Sequence, residues 1–185
     1  MNEYDPNLKI TCTMTDCEND KHCYRTNKTL QKKGVTKGSC RYCKNDFIDW
    51  DRLYKKDLND IEYTVSAFKM EMIRHMFWDV KKPPHESIIK VTKLSEEELK
   101  TKIRSRIVSS IGKTLSENAF DGRQTPLNNN NLVHWSQHAT GTCCRICLDQ
   151  WYGIDPESKI SAEDFDYLTE ICFDYIERVS GISYE

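Results

Sequence analysis

The segment HWSQHATGTCCRICLDQWYGI, residues 134–154, decides how this sequence is interpreted, because two histidines and three cysteines fall within fourteen positions. Residues 142–151 of this segment have helical character. Side chains three or four residues apart are neighbours on a helix, so Cys147 can share a face with Cys144 or with Cys143. On the same helix, two adjacent cysteines cannot both point the same way. The sequence therefore predicts a helix that presents a pair of thiols.

Four interpretations of this cysteine group are open. His138 lies in a turn-forming run just upstream and, with Cys144 and Cys147, gives a partial zinc site that His134 or a water would complete. A nucleophilic thiol, Cys143 or Cys144, with His138 as its base, is the second interpretation. A dithiol redox pair is the third, and buried structural cysteines are the fourth. Helical spacing favours the metal site.

Five further cysteines lie near the N-terminus with the spacing C-x4-C-x5-C-x16-C-x2-C: Cys12, Cys17, Cys23, Cys40 and Cys43. A CxxC pair supplies two ligands from one tight turn, and two of the remaining three thiols would close a zinc site of four thiolates. We expect four of the five to bind zinc, and we expect His22 to face solvent. Metal binding would supply folding energy to a segment that is poor in large apolar residues.

Charge is unevenly distributed, although the net charge is only −2. Eight Lys or Arg and no acidic residue lie between Lys21 and Lys44, whereas residues 149–185 contain ten Asp or Glu and two Lys or Arg. The basic segment predicts contacts with nucleic-acid phosphates, with Tyr24 and Tyr42 available to stack on bases; a solvated basic loop is the alternative. The predicted phosphate contacts are Lys28, Lys32, Lys33, Lys37 and Arg41. The acidic C-terminal helix predicts a docking surface for a protein partner.

Apolar periodicity predicts three long helices. Residues 59–80 carry an apolar stripe at spacings of three and four. Residues 94–112 begin with a capping box, S-x-x-E, formed by Ser95 and Glu98. The last helix, residues 161–179, places Cys172 on its inner face as a small core residue.

The predicted fold class is α+β and predominantly helical, with a small cysteine-rich zinc module followed by a helical domain. The stretch DFIDWDRLY, residues 46–54, is interpreted as a short strand. We expect a zinc module over residues 1–54, a long helix and linker over residues 55–82, and a helical domain over residues 85–185. No run of 18 apolar residues and no signal-peptide pattern occurs, so we expect a cytoplasmic protein.

The segments DGRQTP, QHATGTCCRICLDQWYGI and ISAEDFDYLTEICFDYI resemble a small bacterial family known as domain of unknown function 4186. The family signature is similar to QHATATCCRxCLxxWHGI, and the resemblance covers roughly residues 119–178. It implies that the following are signature positions: Gln124, Gln137, His138, Cys143, Cys144, Arg145, Cys147 and Trp151.

Two departures from the family pattern carry implications. The family often has histidine where this chain has Tyr152, so that position is not an essential ligand here. Family members are shorter, which implies that residues 1–80 are an added module. The signature also contains polar groups beyond what a zinc site needs. Contacts with a phosphate or a base edge are predicted for Arg123, Gln124, Gln137 and Arg145.

Three functional hypotheses follow. The first is a zinc-binding protein that binds nucleic acid or acts as an adaptor, as an accessory in bacterial DNA processing or phage conflict. The second is a small metal- or cysteine-dependent hydrolase, nuclease-like, centred on His138 and on Cys143 or Cys144. The third is a structural subunit of a complex, in which zinc only holds the shape.

Overall fold

Helices dominate the computed structural model, which describes residues 4–117, 124–127 and 130–184. The α-helices in these residues are α1 (Lys28–Lys32), α2 (Trp50–Leu53), α3 (Ile61–Lys69), α4 (Met72–His75), α5 (His85–Val91), α6 (Glu96–Ile111), α7 (Leu132–Thr140), α8 (Arg145–Tyr152) and α9 (Ala162–Ser180). The α+β expectation is wrong, because the described residues form isolated β-bridges and no strand. The strand predicted at residues 46–54 is also wrong, since α2 occupies its second half.

The centre of the core lies between α6, α7 and α9, and α9 packs against both of the other helices. The predicted capping box of α6 is confirmed, because the Ser95 side chain accepts from the Glu98 amide and the Glu98 side chain accepts from the Ser95 amide. The i+4 stripe of α6 is fully buried from Leu99 to Ile111. Cys172 is fully buried in α9, as predicted.

The prediction of a single helix over residues 59–80 is wrong, because the helix is interrupted at Met70 and Glu71. Glu71 has extended backbone angles and separates α3 from α4, which continues into a π-helical turn over Met76–Val80. His22 docks at the break: its amide donates to the Met70 carbonyl at 2.7 Å, and the Met72 amide donates to the His22 carbonyl at 2.8 Å. A contact with a residue far away in sequence therefore replaces the local helical hydrogen bonds.

The segment 134–154 folds as two helices joined by a tight turn. Its first half belongs to α7, so His138 lies on a helix rather than in the predicted turn. Gly141 ends α7 in the left-handed conformation, with φ of 76°. A Cβ atom on Gly141 would lie 2.9 Å from the Trp151 ring, so both the backbone angle and the close approach favour glycine here.

One cluster of buried apolar side chains includes Tyr24 and Ile48 of the N-terminal segment together with Phe68 and Leu168 of the later helices. The predicted boundaries at residues 54 and 82 stay predictions. In the described part of the chain, no helix combines the length and the apolarity that crossing a bilayer requires.

Candidate metal centres

The first cluster of possible metal ligands, called site 1, lies in the N-terminal segment. Its members are Cys17, His22, Cys40 and Cys43, whose ligand atoms all lie within 4.8 Å of one another. Cys17 begins a 3-10 turn, and the chain between Cys40 and Cys43 forms the predicted knuckle. The Lys44 amide closes that knuckle by donating to the Cys40 carbonyl at 2.9 Å. A local turn therefore brings Cys40 and Cys43 together, whereas His22 is placed by its long-range contacts with Met70 and Met72.

Two of the ligand-to-ligand distances in site 1 match those of a tetrahedral zinc site. The sulfur atoms of Cys17 and Cys40 are 3.7 Å apart, and Sγ of Cys43 lies 3.5 Å from Nδ1 of His22. Zinc bond lengths and a tetrahedral angle give S···S of about 3.8 Å and S···N of about 3.6 Å. A disulfide would need about 2.05 Å between sulfur atoms. The donor set and its dimensions therefore suit one zinc ion.

His22 was expected to face solvent, and this expectation is wrong because His22 is only 1% exposed. Its backbone bonds at the α3–α4 break and the stacked ring of Phe47, 4.7 Å away, hold it inside. Cys12 and Cys23 were candidate ligands for the N-terminal site, and the structure leaves both outside site 1. The pattern C-x4-H followed by C-x2-C was the sequence signal for His22.

The second cluster, called site 2, consists of Cys143, Cys144 and Cys147, with ligand atoms also within 4.8 Å of one another. The expectation that two adjacent cysteines diverge assumed a helix, but α8 begins at Arg145. Cys144 has extended backbone angles just before it. All three thiols are buried. The structure thus brings three thiols together, whereas helical spacing predicted two.

Two guanidinium groups contact the thiols of site 2. Nη2 of Arg74 lies 3.3 Å from Sγ of Cys147, and Nη1 of Arg25 lies 3.7 Å from Sγ of Cys144 and 4.0 Å from Sγ of Cys147. Hydrogen bonds from the Cys143 and Cys144 thiols, together with the two arginines, hold the pKa of Cys147 well below its usual range despite burial. The hydrogen bonds that Cys143 and Cys144 make to Cys147, together with burial, raise their own pKa values. Cys147 is therefore the thiol of site 2 that favours thiolate, the form that binds metal.

A cavity of about 10 Å³ lies beside these thiols and is lined by Cys143, Cys147, Cys12 and His138, among others. About this volume is needed to hold one water molecule. It accommodates a single ion or water. It has no room for an extended substrate.

His138 lines this cavity, and one of its ring nitrogens has no hydrogen-bond partner. It is 3% exposed and lies outside the group of three thiols, as does His134. Nε2 lies 3.0 Å from the Pro126 carbonyl, which can only accept, so Nε2 carries the proton and Nδ1 carries the lone pair. Nδ1 is buried without a hydrogen-bond partner. Burial lowers the pKa of His138 to about 4, so the imidazole is neutral, and a backbone bond on the opposite nitrogen is typical of metal-binding histidines.

Two polar signature residues, Arg145 and Gln137, form hydrogen bonds that stabilise the fold. Arg145 is fully buried and donates to the carbonyls of Asp155, Pro156 and Ser158 in the turn after α8. The Gln137 amide donates to Ser110 Oγ and to the Thr142 carbonyl.

The remaining two residues predicted to contact a phosphate or a base edge are Gln124 and Arg123. The backbone carbonyl of Gln124 accepts a hydrogen bond from Arg106 at 2.7 Å. Arg123 lies outside the described residues. The prediction that these signature side chains bind a phosphate or a base edge gains no supporting contact from the described residues.

The sequence interpretation missed Glu71, which joins the two sites. Its carboxylate lies 2.9 Å from Nε of Arg74, accepts from the Tyr24 amide at 3.1 Å, and accepts from Nε1 of Trp151 at 3.1 Å. Both Glu71 and Arg74 are 2% exposed. A carboxylate and a guanidinium three residues apart are typical of the charged surface of a helix, so no local signal marks these two residues as buried.

The basic segment includes three of the site 1 ligands, His22, Cys40 and Cys43, and many of its residues are exposed. Exposed lysines lie in and beside α1, and Tyr42 is 60% exposed. Tyr24 cannot stack on bases as predicted, because it is fully buried against Trp50 and Trp151. Lys37 pairs with Asp149. The other predicted phosphate contacts form no ion pair with the residues that the structure describes: Lys28, Lys32, Lys33 and Arg41.

The acidic residues of α9 are largely neutralised within the chain. Asp164 pairs with Lys56, Asp166 with Arg104, Glu170 with Lys100 and Asp174 with Arg178. The first three pairs attach α9 to other parts of the chain, and the fourth lies within α9. The predicted docking surface for a protein partner stays a prediction.

The architecture and the two clusters define a helical protein with two sulfur-rich centres, each of which could hold a metal ion. The family described as "Domain of unknown function (DUF4186)" matches residues 62–177, and the chain belongs to that family. The resemblance is confirmed, and the match begins well before residue 119. The expectation that residues 1–80 are an added module is therefore wrong for residues 62–80, which belong to the family match. The match includes site 2 and Arg74, whereas site 1 and Arg25 precede it. No solved structure matches this chain.

Proposed function

We propose that this protein binds single-stranded nucleic acid through a basic surface that a zinc ion at site 1 stabilises, and that a second zinc ion at site 2 stabilises the family domain. The observation that carries the proposal is the exposure of basic residues between the site 1 ligands His22 and Cys40 and of aromatic rings near Cys43 in the chain. Lys28, Lys32, Lys33 and Arg41 provide the charge of the surface, and Tyr42 and Phe47 provide exposed rings.

The ligand chemistry supports a structural role for zinc at site 1. Three thiolates and one imidazole fill the four positions that zinc prefers, so no position is left for a substrate. The segment around site 1 has little secondary structure. Its ligands are the side chains of Cys17, His22, Cys40 and Cys43. Metal binding would therefore contribute directly to folding of the basic surface.

At site 2, Cys143 and Cys144 of the α7–α8 turn and Cys147 of α8 provide three thiolates. His138 Nδ1 is the fourth ligand that we propose. The imidazole would need to approach the thiols, since Nδ1 lies outside their 4.8 Å group. Its lone pair, its neutral form and its backbone anchor at Pro126 suit that role. Site 2 then has the same donor set as site 1.

Nucleic-acid binding by this surface follows from charge and aromatic exposure together. Cations without internal partners attract phosphates, and exposed rings stack on unpaired bases regardless of sequence. Tyr42 is 60% exposed, and Phe47 is 46% exposed although one face of its ring stacks on His22. Paired bases could not reach these rings, so we propose a single strand as the ligand.

The hydrolase alternative receives less support from the geometry. The cavity at site 2 holds about 10 Å³, and Cys143 and Cys144 are at most 5% exposed. A phosphodiester or peptide could not reach His138 through this enclosure. Accessory work in bacterial DNA processing or phage conflict, and a cytoplasmic location, stay predictions.

Fluorescence anisotropy with a labelled single-stranded oligonucleotide of mixed sequence tests the proposal. We expect binding that weakens with salt, with a slope of about −0.7 per phosphate contact. The triple variant Lys28→Gln, Lys32→Gln and Lys33→Gln should reduce the slope by about 2. Tyr42→Ala should weaken binding by about 1–3 kcal/mol without changing the slope.

The matched control replaces three lysines outside the basic segment, Lys90, Lys93 and Lys102, by glutamine and should leave both quantities unchanged. Absence of binding by the zinc-loaded protein would contradict the proposed function. So would an equal effect of the two triple variants.

A further inference from the structure

We infer that Arg25 is a specificity-determining residue of site 2, where it supplies the charge that lets the enclosure hold three thiolates and one divalent ion. The inference rests on the metal site proposed above and deepens it. It also assigns a role to the N-terminal segment, because Arg25 lies outside residues 62–177, the part of the chain that matches the family.

The formal charges around site 2 carry the inference. Arg25 and Arg74 contact the sulfur atoms, and Glu71 pairs with Arg74, so these three groups together carry a charge of +1. Three thiolates with one divalent ion carry −1, and a neutral imidazole adds nothing. The enclosure is then neutral, as the high cost of an uncompensated buried charge requires.

Other compositions leave a net charge. A fourth thiolate from Cys12, which also lines the cavity, would leave −1, and so would a monovalent ion with three thiolates. Removal of Arg25 would also leave a net charge of −1 when three thiolates hold a divalent ion. Charge balance therefore favours a divalent ion with three thiolates and a neutral fourth ligand, and it makes Arg25 necessary for full affinity.

The backbone of the N-terminal segment places Arg25 at site 2. His22, a site 1 ligand, is fixed at the α3–α4 break by two backbone hydrogen bonds. The Tyr24 amide donates to the Glu71 carboxylate at 3.1 Å, and the next residue extends its guanidinium to Cys144 and Cys147. The Arg25 side chain is therefore positioned by residues that connect the two sites.

Zinc competition with a chromophoric chelator, carried out on the full chain, tests the inference. Cys144→Ser identifies which of the two binding phases belongs to site 2. Arg25→Gln should weaken zinc binding at site 2 by about 10–100-fold, the range seen when groups that support metal ligands are removed. Arg25→Lys, which keeps the charge, should retain most of the affinity, and Arg25→Glu should bind more weakly than Arg25→Gln.

Site 1 should bind zinc equally in all three variants, and Arg52→Gln is the matched control because Arg52 pairs with Asp60 on the surface. An affinity at site 2 that follows the order Lys, Gln, Glu supports a role in charge balance. Equal affinities in the Gln and Glu variants, or equal losses at both sites, overturn it. A wild-type protein that binds only one ion overturns the proposed function at site 2 and this inference with it.

Discussion

Replacement of Glu71 by glutamine is the most informative single perturbation of the fold. The change removes the carboxylate charge opposite Arg74, whose Nε lies 2.9 Å away, while both side chains are buried. It also turns one acceptor oxygen into an amide donor facing the Tyr24 or Trp151 N–H. Breaking a buried ion pair by removing one partner costs about 3–5 kcal/mol, because the remaining charge is left uncompensated.

The magnitude converts into a measurable shift. At about 2–4 °C per kcal/mol for a chain of this size, Glu71→Gln should lower the Tm by about 6–20 °C. Urea unfolding of the zinc-saturated protein, followed by circular dichroism, should show the same loss of unfolding free energy. The matched control is Glu62→Gln, since Glu62 pairs with Arg178 but its side chain is 77% exposed.

Loss of that exposed pair should cost much less stability, because solvent screens the charges. The reasoning would be refuted if Glu71→Gln lost no more stability than Glu62→Gln. Such a result would mean that Arg74 finds full compensation elsewhere, at the thiolates of site 2.

Two further predictions concern the turn after α7 and the titration of its histidine. Gly141→Ala should destabilise the fold by more than Gly34→Ala, because Gly34 has a similar positive φ but no atom within 4 Å of an added Cβ. The left-handed backbone conformation costs an alanine about 1 kcal/mol at either position. The additional loss of unfolding free energy in Gly141→Ala, measured by urea unfolding, therefore reports the contact with Trp151. Because the pKa of His138 falls to about 4 on folding, stability should be lost as pH falls from about 6.5 to 4, by about 3 kcal/mol. His138→Phe should remove this part of the pH dependence in zinc-free buffer, and an unchanged slope would contradict the assignment.

The helices α6 and α9 were predictable because local signals agree on them. In α6, a capping box precedes an uninterrupted i+4 stripe of leucine and isoleucine, and both features depend only on neighbouring residues. The break between α3 and α4 was not predictable in the same way. The apolar stripe runs through it, and the contact that causes it comes from His22, about fifty positions earlier.

The candidate sites show the same division. The CxxC knuckle at Cys40 is a local turn and is visible in the sequence, whereas the choice of His22 over Cys12 or Cys23 depends on how the segment docks on α4. At site 2, the convergence of Cys143 with Cys144 depends on where α8 begins, and helix ends are less certain than helix interiors. Arg25 reaches the site only through tertiary contacts.

X-ray absorption at the zinc edge tests the central claim most directly, because it counts sulfur and nitrogen neighbours of the bound ion. We predict two zinc ions per chain and an average shell of three sulfur atoms at about 2.3 Å and one nitrogen at about 2.0–2.1 Å. Cys17→Ser and Cys144→Ser should each leave one ion with the same shell. A shell of four sulfur atoms, a shell dominated by oxygen or nitrogen, or a protein that retains no zinc would contradict the account.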